Sequence, residues 1–148
     1  MRRRTLGKMA VGACGPVALT ALWGTPPAQA ANPNNGSVLS CTVSSYAPGP
    51  TSTGITGRGR MACTAASEVM LDVRVQKQAA DGSWVTTSSQ TRSAHGTTLD
   101  VSSRPTACSG STPFTWITTV TGTVFVETSG GVWRASTTVY SDKRVISC

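Results

Sequence analysis

The longest alternation of apolar and polar positions lies in residues 68–78, EVMLDVRVQKQ. Val69, Leu71, Val73 and Val75 share one side, while Glu68, Asp72, Arg74 and Gln76 share the other. A period of two predicts a strand with one face buried and one face wet. Met70 is the one apolar residue on the wet side. SVLSCTVSSY (37–46) alternates in the same way, with Leu39, Cys41 and Val43 together, and ITGRGRMACTAAS (55–67) aligns Met61, Cys63 and Ala65. The Pro and Gly residues of APGPTSTG (47–54) predict a loop between these two strands. SWVTTSSQT (83–91) and TTLDVS (97–102) read as further strands, and SRPTACSGSTP (103–113) as a loop. No window carries the 3.6-residue apolar period of a helix.

Two hairpins follow from the turn signals. FTWITTVTGTVFVET (114–128) leads into Gly130-Gly131, and VWRASTTVYS (132–141) returns. With those glycines as a two-residue loop, Val126 opposes Ala135, Val124 opposes Thr137 and Thr128 opposes Trp133 on the core face, and Glu127 opposes Arg134 on the other. A one-residue slip would turn Trp133, Ala135 and Val139 out to water. In DVRVQKQAADGSWV (72–85) two turns fit. A two-residue Asp81-Gly82 loop points Trp84 to the Val73/Val75 face. A three-residue Ala80-Asp81-Gly82 loop with Gly82 as a bulge sets Val85 opposite Lys77 and turns Trp84 to solvent. Burying an indole outweighs burying a valine, which favours the inward Trp84.

The N-terminus reads as a leader rather than as fold. MRRRTLGK is basic, MAVGACGPVALTALW is apolar, and Ala28-Gln29-Ala30 is a small-x-small cleavage site, so residues 1–30 are expected to be a cleaved signal peptide. RRRTLGK also fits a twin-arginine export signal loosely. Gly12, Gly15, Pro16 and Thr20 interrupt the apolar run, which falls short of the roughly 20 residues a membrane span needs. Residues 31–36 are expected to be a disordered tail and 37–148 a single β-sandwich domain.

The leader changes the charge argument. Four of the 13 Lys and Arg (Arg2, Arg3, Arg4, Lys8) leave with it, so nine bases face six acids and the net charge falls from +7 to +3. The strongly basic balance that would suggest nucleic acid or an anionic membrane is therefore a property of the leader. Cys14 leaves too. Cys41, Cys63, Cys108 and Cys148 remain, an even number that in an exported chain reads as two disulfides with three possible connectivities. Cys41–Cys63 and Cys108–Cys148 are favoured, because each ties sequence neighbours in a meander. With one His (His95) and no CxxC, zinc is disfavoured. Several short strands, Gly/Ser turns and two disulfides define an all-β, single antiparallel β-sandwich of about six to eight strands.

Catalytic chemistry finds little footing. Asp81 serves a turn, Glu127 pairs with Arg134, and Glu68 and Asp72 lie on a wet face, so nothing places two carboxylates in one cleft as glycoside hydrolysis requires. His95 and Asp100 lie five residues apart, but no nucleophile elbow accompanies them. Asn35-Gly36-Ser37 fits a glycosylation sequon within the tail. Two binding candidates remain. GRGRMAC (57–63) would present Arg58 and Arg60 on a Gly-rich loop braced by a disulfide, the form in which a small protease inhibitor offers a cleavage-site residue. Phe125, Arg134, Tyr140 and Val132 would form an aromatic and guanidinium patch on the outward face of the last hairpin.

The Ala-rich leader ending AQA, then SCTVSS, GRGRMAC, the apolar strand with DGSW, a CSG segment and the terminal VISC resemble a family of small secreted two-disulfide β-proteins of actinobacteria. The resemblance runs over most of residues 31–148 and implies export and a disulfide-bonded β fold, with no activity attached. The two-disulfide plan is also similar to that of small secreted amylase inhibitors, but their WRY triplet is replaced by Trp133-Arg134-Ala135. The expectation is a secreted, non-catalytic binding module without cofactor, monomeric, whose partner is an extracellular protein or glycan. Nucleic acid and stable membrane insertion are not expected. The alternative is a secreted protease inhibitor presenting Arg58 and Arg60.

Overall fold

A computed structural model describes residues 18–21, 29–31 and 38–148. The cleavage site's first residue, most of the leader and tail residues 32–37 lie outside the described residues; Ala31, counted above with the tail, ends a short strand. Eight strands follow one another: β1 (Ala18–Ala21), β2 (Gln29–Ala31), β3 (Val38–Thr51), β4 (Gly54–Gln78), β5 (Trp84–Ser102), β6 (Phe114–Thr128), β7 (Gly131–Tyr140) and β8 (Arg144–Ile146). The six strands from β3 onward pair antiparallel, whereas β1 runs parallel to β3. Among the described residues there is no helix.

The organising element is β4, 25 residues long. Its first half lies between β3 and β5, with Arg58 opposite both Tyr46 and Ser102. Its second half lies between β5 and β6, with Val73 opposite both Gln90 and Val120. Between Ala62 and Ser67 the register with β5 shifts, so that Cys63–Ala66 bulge against Thr97 alone. Extra residues on one strand bend it, and this bend folds β4 over so that its two halves face each other through the core. Gly59 makes the approach possible: a Cβ there would come 2.7 Å from Val120 and 2.9 Å from Val73.

Val43, Met61, Val69, Leu71, Val73, Val101, Val120, Val124 and Val139 fill the space between the layers. A smaller cluster of Ile55, Val75, Trp116 and Ile146 closes one end. Each such side chain contributes about 1.5–3 kcal/mol on burial. The layers belong to one continuous hydrogen-bonded sheet, an arrangement compatible with the expected sandwich. Both disulfides pair as expected. Cys41–Cys63 links residues directly opposite on β3 and β4, and Cys108–Cys148 ties loop 103–113 to the chain end beyond β8.

Three element boundaries differ from the sequence reading. The 47–54 stretch is strand on both sides of a turn at Ser52-Thr53; Tyr46 to Gly49 carries a register shift that absorbs the buried Pro48. Residues 55–67 and 68–78 form one strand, and so do 83–91 and 97–102. Neither junction holds a proline to end the ladder.

Candidate functional site

The last hairpin turns at Ser129-Gly130, one residue earlier than expected, with Gly131 at a φ of 124°. Thr128 fixes the turn: its Oγ1 accepts from Gly130 N–H at 3.3 Å and donates to the Gly131 carbonyl at 2.9 Å. The ladder is therefore displaced by two residues. Val124 opposes Ala135, Val120 opposes Val139, and Val126 opposes Trp133. A shift of two keeps every side chain on its expected face while changing every partner. Glu127 faces Val132, and Arg134 faces Phe125, so the expected Glu127–Arg134 cross-strand pair is replaced. Trp133 is on the inward face but past the end of the core, and remains 57% exposed.

The expected patch is partly assembled. Phe125, Arg134 and Val132 are neighbours, but Tyr140 faces Thr119. Tyr140 stands six positions from Arg134, about 20 Å along a strand. Across the outer face, four strands instead align residues in rows. His95, Glu68, Phe125 and Arg134 make one row; Ser93, Met70, Thr123 and Ser136 the next; Thr91, Asp72, Thr121 and Thr138 a third. The hydroxyls bond along these rows, Thr121 with Thr138 at 2.9 Å and Thr123 with Ser136 at 2.8 Å. Thr91 donates to Asp72 at 2.9 Å.

At the first of these rows the bulged corner of β4 opens a cleft of about 810 Å³, lined by Leu39, Ala65, Ala66, Ser67, Glu68, Met70, Ser93, His95, Phe125, Val126, Glu127 and Val132. The cleft runs from the outer face round the corner to the end of the core. Met70, Phe125 and Val132 provide its outer apolar wall; Leu39 and Val126 line its inner end. Two carboxylates, Glu68 and Glu127, share it, contrary to the expectation that no two acids meet in a cleft. His95 Nδ1 is 3.9 Å from Glu68 Oε2, with the side chains 70% and 52% exposed. Met70 was the sequence signal for this site: an apolar residue on an otherwise polar face.

Arg58 and Arg60 are not on a loop. They sit in the first part of β4, hydrogen-bonded into ladders on both sides. Arg58 Nη2 donates to Asp100 Oδ1 at 2.8 Å and its guanidinium lies 5.4 Å from the Tyr46 ring centre. Arg60 Nη1 is 3.9 Å from the other Asp100 oxygen. The hydrogen bond and charge of Asp100 raise the Arg58 pKa above its ordinary value. A protease binds an inhibitor segment that protrudes, and a doubly paired strand does not. The 57–63 segment thus lacks the geometry that motivated the inhibitor alternative. Asp100 is engaged with these arginines while His95 faces Glu68, so the two do not form a catalytic pair.

Trp84 follows the three-residue turn. Ala79 N–H donates to the Ser83 carbonyl at 2.8 Å, Gly82 N–H donates to the Ala79 carbonyl at 3.0 Å, and Gly82 has a φ of 84°. Trp84 accordingly opposes Gln78 on the outer face, half-buried, with Lys143 Nζ 5.8 Å from its ring. The inward Trp84 is overturned. Asp81 decides the turn by accepting hydrogen bonds from Ser83 Oγ at 2.6 Å and Ser83 N–H at 2.9 Å, which a tighter loop would forgo. These bonds, the hydroxyl first, lower the Asp81 pKa.

Among the described residues no three His, Cys, Asp or Glu gather closely enough to hold a metal ion. No protein-family model, curated protein or solved structure matches the chain.

Proposed function

We propose that the protein is an exported, disulfide-braced module that binds a ligand without catalysis, and that the ligand seats in the cleft over Phe125 and Met70. The observation that carries this reading is the solvent-open apolar wall of Met70, Phe125 and Val132 beside two carboxylates. Its volume of about 810 Å³ falls within the ~300–1,000 Å³ of small-molecule sites. The two disulfides are compatible with an oxidising extracellular setting. Kinship with the small secreted actinobacterial proteins belongs to the same proposal.

The test is chemical-shift mapping of the full chain with n-hexanol, a neutral apolar probe. Saturable shifts confined to the amides of Ala65–Met70 and Phe125–Val132 support the reading. Shifts scattered over exposed residues such as Val85 and Val145 would overturn it.

A further inference from the structure

The chemistry of the cleft goes further than its apolar wall. Resting on the binding reading above, we infer that the ligand is a small organic ammonium cation with an apolar body.

Three observations converge. Glu68 and Glu127 line one cleft with Met70 and Phe125. Among the described residues the close charge pairs are Arg58–Asp100, Arg60–Asp100, Arg74–Asp72 and His95–Glu68, which leaves Glu127 without a basic partner. Arg134, though opposite Phe125, does not line the cleft. A carboxylate left unpaired at an apolar wall favours a cation there, and the wall favours that the cation carry hydrocarbon. The half-buried ring of Phe125 adds a π face, which attracts ammonium and repels anions. The same groups disfavour a carboxylate or sulfate ligand. A half-open cleft of about 810 Å³ suits a free small molecule, which can place its body against Phe125 and its charge beside Glu127.

The experiment compares three probes with one six-carbon body and different heads: n-hexylammonium, n-hexanol and n-hexanoate, titrated by chemical shift at low ionic strength. A fourth probe, Nα-acetyl-lysine methylamide, presents the same charge on a peptide stem. Hexylammonium is expected to bind in the cleft about tenfold more tightly than hexanoate and several-fold more tightly than hexanol or the lysine derivative. Glu127→Gln and Glu68→Gln should each weaken hexylammonium about threefold to fivefold and leave hexanol unchanged; both sites are on the surface, so both variants fold. Equal binding of hexanol and hexylammonium would overturn the inference while the apolar site stands. Tighter binding of the lysine derivative would assign the cleft to a protein side chain and overturn it too. If no probe moves the cleft amides, the inference and the binding reading fall together.

Discussion

Phe125 lies directly opposite Arg134 across the β6–β7 ladder. That single pairing moves Glu127 away from the arginine and leaves its carboxylate at the cleft. The alternation places two tryptophans on one face, and the structure buries only one of them. Trp116 is 2% exposed within the end cluster and Trp133 is 57% exposed beyond the core. Trp116→Ala should therefore cost about 3–5 kcal/mol, and Trp133→Ala no more than about 0.5 kcal/mol. Urea unfolding of the two variants checks the difference; similar losses would place Trp133 in the core.

Gly59 lets the halves of β4 approach. A Cβ there meets the Val120 and Val73 methyls, whose branched side chains are buried and have nowhere to turn. Gly59→Ala should destabilise by about 1–3 kcal/mol. Gly96 is also in a strand but has nothing within 4 Å of such a Cβ, so Gly96→Ala should be neutral or slightly stabilising. Thermal melts of the pair measure whether the layers are as close as described.

The disulfides close loops with sequence separations of 22 and 40. On the chain-entropy model these contribute about 3.4 and about 3.9 kcal/mol. Cys108→Ala with Cys148→Ala should lower stability, and Cys41→Ala with Cys63→Ala should lower it at least as much, because Cys41 is also a buried core residue. Guanidinium unfolding of the two double variants gives the ranking.

Asp81 links the β4–β5 turn to pH. Its native pKa is below the ordinary 3.8 because of the bonds from Ser83. Stability from those bonds is fully present above the ordinary value and is lost as pH falls through the lower native one. Asp81→Asn keeps an acceptor but removes the titration, so its melting temperature should fall less steeply with acid than that of the parent. Parallel slopes would show that the bonds do not favour the charged form.

Much of this architecture is legible in the chain. The faces of β3, β4, β6 and β7, the strand-rich class and both disulfides follow from alternation and cysteine spacing. What escapes does so for physical reasons. A period of two is blind to a two-residue shift, so the Phe125–Arg134 pairing cannot be read from faces alone. At the corner the small residues Thr64–Ser67 interrupt the apolar row between Cys63 and Val69, so one bent strand reads as two. The choice between turns at Asp81-Gly82 depends on hydrogen bonds from Ser83, and an argument from indole burial misses them. The cleft was the least legible feature, because Glu68, Met70, Phe125 and Glu127 meet only once the β4 and β6 register is set. Met70 on the wet face was its one trace.

The most direct test of the account is the affinity of n-hexanol for the parent domain and for Phe125→Ala and Tyr140→Ala. The cleft reading predicts that Phe125→Ala weakens binding at least tenfold, the loss of an aromatic wall worth about 1.4 kcal/mol or more, while Tyr140→Ala leaves binding unchanged. Equal affinities for all three proteins, or a loss only with Tyr140→Ala, would contradict it.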